Sequence, residues 1–165
     1  MPALVHTIRG LLAYTLWADR QILEARRGLP ESDLERDTGT SFGSVLGTTA
    51  HILGAEQLWL SRLLGVPLRH LPALEDFPSL EMLAASFEDF WPQLEFFLAS
   101  LGEEQIESDF TWLDTAGESR TAPLRQVLLH LVTHSAYHRG QVASQLRQLG
   151  HEAPSTDLLD WRGTT

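Results

Sequence analysis

The 165-residue chain contains no cysteine. That excludes disulfides, thiolate metal sites and a cysteine nucleophile. A metal site, if there is one, has to be built from nitrogen and oxygen ligands. Basic residues are also scarce: 12 Lys and Arg stand against 22 Asp and Glu, a formal net charge of −10. Neutralising nucleic-acid phosphates requires clustered Lys and Arg, so no nucleic-acid partner is expected. No stretch approaches the roughly 18 uninterrupted apolar residues that a membrane-spanning helix needs, and no membrane partner is expected. The N-terminus, residues 1–20, lacks a basic segment followed by a long apolar core. It reads as part of the fold, which makes the cytoplasm the expected location. Internal repeats and low-complexity tracts are absent. So is HExxH, and with it the general base of the zinc-protease motif.

What remains is an ordinary globular composition, 43% hydrophobic and 21% charged, of a length that favours a single domain over residues 1–165. Four segments carry helical periodicity. The first runs over about 3–27, with Leu4, Ile8, Leu11, Leu12, Leu16, Ile22 and Leu23 on one stripe and Gly28-Leu29-Pro30 as its stop. The second covers about 43–64, capped at Ser41 or a neighbour and ended by Gly65-Val66-Pro67. The third covers about 79–101, with Ser79 as N-cap and Gly102 as stop. The fourth covers about 123–149, with Pro123 suited to a first turn and Gly150 to a C-terminal stop. Segment 66–78, with three prolines, reads as an irregular crossover. Residues 108–121 fit a minor β-hairpin turning near Gly117, or a plain loop. The tail after Gly150 is expected to lie back over the bundle end. Together these elements predict an all-α four-helix bundle.

Seven histidines occur, three of them at four-residue spacing: His130, His134 and His138. Residues at i and i+4 share a helix face, so two such imidazoles reach one ion. His134 and His138 continue the apolar stripe of Val127, Leu131 and Val142, and thus replace core residues. A buried imidazole without a partner is costly, and two in one place ask for a common one. His51 is the third ligand expected, on the inner stripe of the second helix with Ser44, Thr48, Ala55 and Leu58. Three neutral imidazoles with an open position make the kind of site that holds catalytic divalent metals. A lone histidine on an apolar face is ordinarily a satisfied core residue, and a bare HxxxH arises by chance. It is the convergence of three that carries the reading. His130, at the edge of the stripe, is assigned a supporting role; His6, His70 and His151 read as surface residues. Glu56 is rotated off the ligand face and makes a poor fourth ligand.

These residues resemble a known family. Thr48-Thr49-Ala50-His51-Ile52-Leu53, followed by Glu56-Gln57-Leu58-Trp59-Leu60, is similar to the second helix of the DinB-like (DinB/YfiT) proteins. Residues 129–141, with His134 four before His138-Arg139-Gly140-Gln141, look like the family's most specific signature. Tyr14-Thr15-Leu16-Trp17-Ala18-Asp19 and Pro154-Ser155-Thr156-Asp157-Leu158 fit as well, so the resemblance spans nearly the whole chain. It implies an up-down-down-up bundle, often dimeric, and a metal on His51, His134 and His138. Related proteins include transferases that use bacillithiol and a mycothiol-dependent maleylpyruvate isomerase. A metal-dependent transferase using a low-molecular-weight thiol is therefore the function the resemblance implies. The rivals are a non-catalytic metal-binding stress-response protein and a metal-assisted hydrolase. Imidazole ligands suit zinc, nickel, iron and copper, with zinc, nickel or iron expected here.

Four further expectations concern packing. Gly140 inside a helix costs roughly 1 kcal/mol relative to Ala, and a close helix approach is the expected compensation, with a functional gap beside the metal as the alternative. Arg139 is expected to pair with Asp19 or Asp157. The five tryptophans read as core, interface or lid residues. Leu60, Leu64, Phe96 and Phe97 exceed one inward stripe, which together with the resemblance suggests a homodimer.

Overall fold

The computed structural model describes residues 3–66, 68, 70–77 and 79–163. Its elements in chain order are α1 (Ala3–Ala25), α2 (Glu31–Leu34), α3 (Val45–Leu63), α4 (Leu80–Ser100), α5 (Glu103–Glu107), β1 (Asp109–Leu113), β2 (Ser119–Pro123) and α6 (Leu124–Gln148). α1 and α3 each pack against both α4 and α6, so they take opposite corners of a four-helix bundle. Ile8, Leu12, Leu16, Ile52, Leu53, Leu83, Phe87, Leu94, Leu128 and Leu146 fill the centre, each 1% exposed or less. No described helix is long and apolar enough to cross a membrane.

The four long helices stand where the periodicity places them, and their ends follow local chemistry. α3 begins at Val45 because Ser44, not Ser41, is the N-cap; its Oγ accepts from the Gly47 amide at 3.0 Å. Ser79 caps α4 by accepting from Met82 N at 3.2 Å. Pro123 occupies the N-cap of α6 instead of its first turn. α1 stops at Ala25, two residues short of the periodic stripe, and the chain reverses at Gly28 with φ +81°.

The hairpin forms. β1 and β2 pair antiparallel with Thr111 opposite Thr121. Asp114 closes its turn, Oδ1 accepting from the amides of Ala116 and Glu118 at 2.9 Å each, while Gly117 takes φ +80°. The crossover 66–78 is irregular apart from one 3₁₀ turn, Leu74–Asp76, in which Asp76 accepts from the Ala73 amide at 2.9 Å; its prolines Pro67 and Pro78 lie outside the described residues.

Two expectations are corrected. The C-terminal tail does not cap the bundle end but runs along the middle of α1. There the Tyr14 hydroxyl donates to Thr156 O at 2.6 Å, and Trp161 sits edge-on to the Tyr14 ring at 6.2 Å. Leu60 is not spare surface: it is 3% exposed within the core, whereas Leu64 and Phe96 are 51% and 79% exposed. Its place on α3 puts it on the same inward face as Leu53, which the count of one stripe had missed.

Candidate metal centre

α3 and α6 pack face to face, and that contact sets the histidines against each other. His51 projects from α3; His134 and His138 project from adjacent turns of α6. One side-chain nitrogen from each lies within 4.8 Å of the others, an arrangement that could hold a metal ion. His51 Nε2 and His134 Nε2 are 3.3 Å apart. With imidazole–zinc bonds of about 2.0–2.1 Å, ligand atoms on a tetrahedral ion stand about 3.3–3.4 Å apart, so this pair is already at ligand spacing. His138 Nδ1 is 2.8 Å from Gln141 Oε1. An amide oxygen only accepts, so His138 carries its proton on Nδ1 and leaves Nε2 available as a ligand atom.

The electrostatics favour neutral ligands. Burial pushes His51 down to about 4, with repulsion from His138 adding to it. Burial likewise lowers His134 to about 4, helped by His138, His51 and His130. Both rings are therefore uncharged near neutrality, the state a metal requires.

Two features of the site had no recognised sequence signal. Phe42 stacks on His51 with ring centroids 3.9 Å apart and planes 15° from parallel, and it meets His138 edge-on at 5.4 Å. A tight turn delivers it: the Thr38 amide donates to Gly43 O at 2.7 Å, and Gly43 has φ +70°. α6 holds that turn, because Gln145 Nε2 donates to Thr38 Oγ1 and Thr40 Oγ1 at 3.0 and 2.7 Å. The Gly39 and Gly43 pair, with Thr38 before it and Thr40 inside it, was the available clue.

The second feature is a buried polar chain behind the ligands. Arg139 Nη1 donates to Asp19 Oδ1 at 2.9 Å, with both side chains almost wholly buried. Of the two expected partners, Asp19 is the one used. Ser135 donates to Glu56 Oε1 at 2.6 Å, and the Asp19 carboxyl lies near enough for its charge to act on Glu56. Burial, then the nearby Asp19 charge, raise the Glu56 carboxyl well above the usual range. Burial also raises Asp19, against the opposing pull of Arg139. Two buried carboxyls beside one guanidinium cannot both ionise cheaply, which favours a proton on Glu56, the one pushed further up. Glu56 thus faces away from the histidines, as its helical position requires, and ties α3 to α6 next to His134.

The remaining histidines divide. His130 lies outside the ligand group; its ring is 5.6 Å from His134 and 5.4 Å from Trp59. His6 is exposed, and His70 sits on the surface 3.3 Å from Asp76. His151 is not a free surface residue: its side chain is 22% exposed and Nε2 lies 2.9 Å from Asp33 Oδ2, which pins α2 to the end of α6. Gly140 also departs from expectation. Nothing lies within 4 Å of where its Cβ would be, so no close helix approach explains it.

A helix bundle with three convergent imidazoles at one helix–helix seam belongs to a class of helical proteins whose facing helices bring together side chains able to hold a metal ion. The DinB family model matches residues 3–164, and the chain belongs to that family. It is 24% identical over 152 residues to Protein DinB of Bacillus subtilis (strain 168), covering 89% of this chain and 88% of that one. Its fold is similar to the crystal structure of a DinB-like protein from Bacillus cereus ATCC 10987, with TM-score 0.64 and 22% identity over 87% of this chain and 91% of that one.

Proposed function

We propose that the protein is a metal-dependent enzyme that transfers a low-molecular-weight thiol to an electrophilic substrate, with His51, His134 and His138 holding the metal. The observation that carries this reading is the convergence of three imidazole nitrogens from two helices, two of them kept neutral by burial. The protein supplies three neutral ligands and no carboxylate, so the charge of a divalent ion would remain uncompensated. A cation held there lowers the pKa of a thiol or water placed against it.

The protein's own residues do the rest. Gln141 fixes the tautomer and plane of His138. Phe42 covers one face of His51 and restricts water on that side. The Arg139–Asp19 and Ser135–Glu56 contacts brace the two α6 turns that carry His134 and His138. A homodimer is proposed as the working form, supported by the exposed Phe96 and Met82 on α4, 79% and 51% exposed.

Elemental analysis of the native protein, followed by thiol-transfer assays on protein loaded with zinc, nickel or iron, tests the reading. Stoichiometric metal with turnover that depends on added thiol is the expected result. Metal without turnover leaves a binding protein. Turnover of esters or amides without thiol identifies a hydrolase and overturns the transferase reading.

A further inference from the structure

Beside His51 lies a cleft of about 280 Å³ that the metal ligands alone do not explain. One side is Phe42; the other is the 71–75 stretch of the crossover; His51 and Gly47 form the base between them. Both sides rest on α3 through glycines. A Cβ on Gly47 would stand 2.2 Å from Phe42 O, and one on Gly54 would stand 2.1 Å from Pro72 O. Gly47, His51 and Gly54 are spaced i, i+4 and i+7, so they share one face of α3. Backbone therefore lies directly against the helix on either side of the histidine, and the imidazole stands in the gap. Side chains at these two positions would push both walls outward.

The lining is apolar: Phe42, Leu71, Pro72 and Leu74 are each half-buried. Glu75 carries the one charge among the described lining residues. We propose that this cleft is the binding site for a small, uncharged, apolar organic molecule, held with one end against His51. On the functional reading above, on which this assignment of a role rests, that molecule is the acceptor of the transferred thiol. Apolar walls favour a compact hydrocarbon body. Glu75 disfavours an anionic one, because a carboxylate brought beside it meets like charge at the cleft's exposed edge.

The test uses benzyl alcohol and benzoate as matched neutral and anionic probes. Binding is followed by amide chemical-shift changes in metal-free full-length protein, where no cation attracts the benzoate. Benzyl alcohol is expected to perturb residues 42, 47, 51, 71 and 73–75 and to bind at least about tenfold tighter than benzoate. Glu75→Gln should narrow that ratio. Gly54→Ala should weaken benzyl alcohol binding severalfold by displacing Pro72; should that variant fold poorly, Leu71→Ala should do the same with the backbone undisturbed. Benzoate binding as tightly as benzyl alcohol, or perturbations centred on another cavity such as that between Trp17 and Trp161, would overturn the proposal. Metal content and thiol turnover are measured separately. Probe binding in the cleft without turnover retains the site and removes the enzymatic reading; turnover without probe binding does the reverse.

Discussion

At the scale of single residues, the four-residue spacing of His134 and His138 was readable because a helix converts it into shared direction. His51 was readable because the stripe of α3 assigns it an inward position. His51→Ala, His134→Ala and His138→Ala are each expected to lose metal at least tenfold more readily, while His130→Ala, outside the ligand group, retains it. Metal content after dialysis checks this, and loss in His130→Ala with retention in His51→Ala would reassign the third ligand. Protons compete for the same nitrogens. With His51 and His134 lowered from 6.5 to about 4, the site should hold metal at pH 5 and release it near 4. The sign for the metal-free fold is the same: stability fully present above about 6.5 falls as pH drops through the folded value.

Glu56 was not readable in this way. Its partner Ser135 and its neighbour Asp19 are remote in sequence, and nothing local marks a glutamate as buried with a raised pKa. Because its folded pKa lies above the ordinary 4.5, its contribution to stability is fully present below that value and is lost as pH rises through the folded one. Glu56→Gln preserves an uncharged hydrogen-bonding group. It should cost less than about 1 kcal/mol at pH 5 and should flatten the decline in stability toward pH 9. Glu56→Ala strands the buried Ser135 hydroxyl and leaves a cavity, and should cost about 2–3 kcal/mol. Urea unfolding across that pH range separates the two.

At the scale of elements, two helical glycines with the same propensity should behave in opposite ways. Gly47→Ala forces Cβ onto the Phe42 carbonyl at 2.2 Å and should destabilise by about 1–3 kcal/mol, as overpacking against backbone does. Gly140→Ala meets nothing within 4 Å and should stabilise α6 by roughly 0.5–1 kcal/mol. Thermal melts of both variants decide this. Composition and periodicity could not distinguish them, since what differs is the chain across the gap and not the helix itself. The same holds for α2 and α5: at 4 and 5 residues they are too short to show a period, and they exist through tertiary contacts such as the buried Leu34 and Ile106. The long helices and the hairpin, by contrast, carry their signals locally: caps at Ser44 and Ser79, and Asp114 with Gly117 at the turn.

For the whole molecule, the core fills the bundle independently of the histidine cluster, so removal of metal should lower the melting temperature without abolishing the cooperative transition. Chelator-treated protein retaining its helical circular dichroism at 25 °C is the expected observation. Sedimentation at micromolar concentration should give twice 18.5 kDa. A single species at 18.5 kDa would remove the dimer, and Phe96→Glu should generate that species if α4 forms the contact.

The aromatic contacts on the hairpin side would give a metal held by the three histidines an optical signature. Trp59 meets Trp112 at 5.3 Å and His130 at 5.4 Å, and His130 is in turn 5.6 Å from His134. Trp17, Trp91 and Trp161 belong instead to the α1 and α4 side, the corner of the bundle away from the α3–α6 seam. Two indoles out of five are therefore linked to His134 through a chain of ring contacts. An open-shell ion such as nickel or copper held by the three histidines should quench Trp59 and Trp112 more than Trp17, Trp91 and Trp161, whereas zinc should leave the spectrum almost unchanged. The chain would then report, through its own fluorescence, both whether a metal has arrived and which electronic class it belongs to.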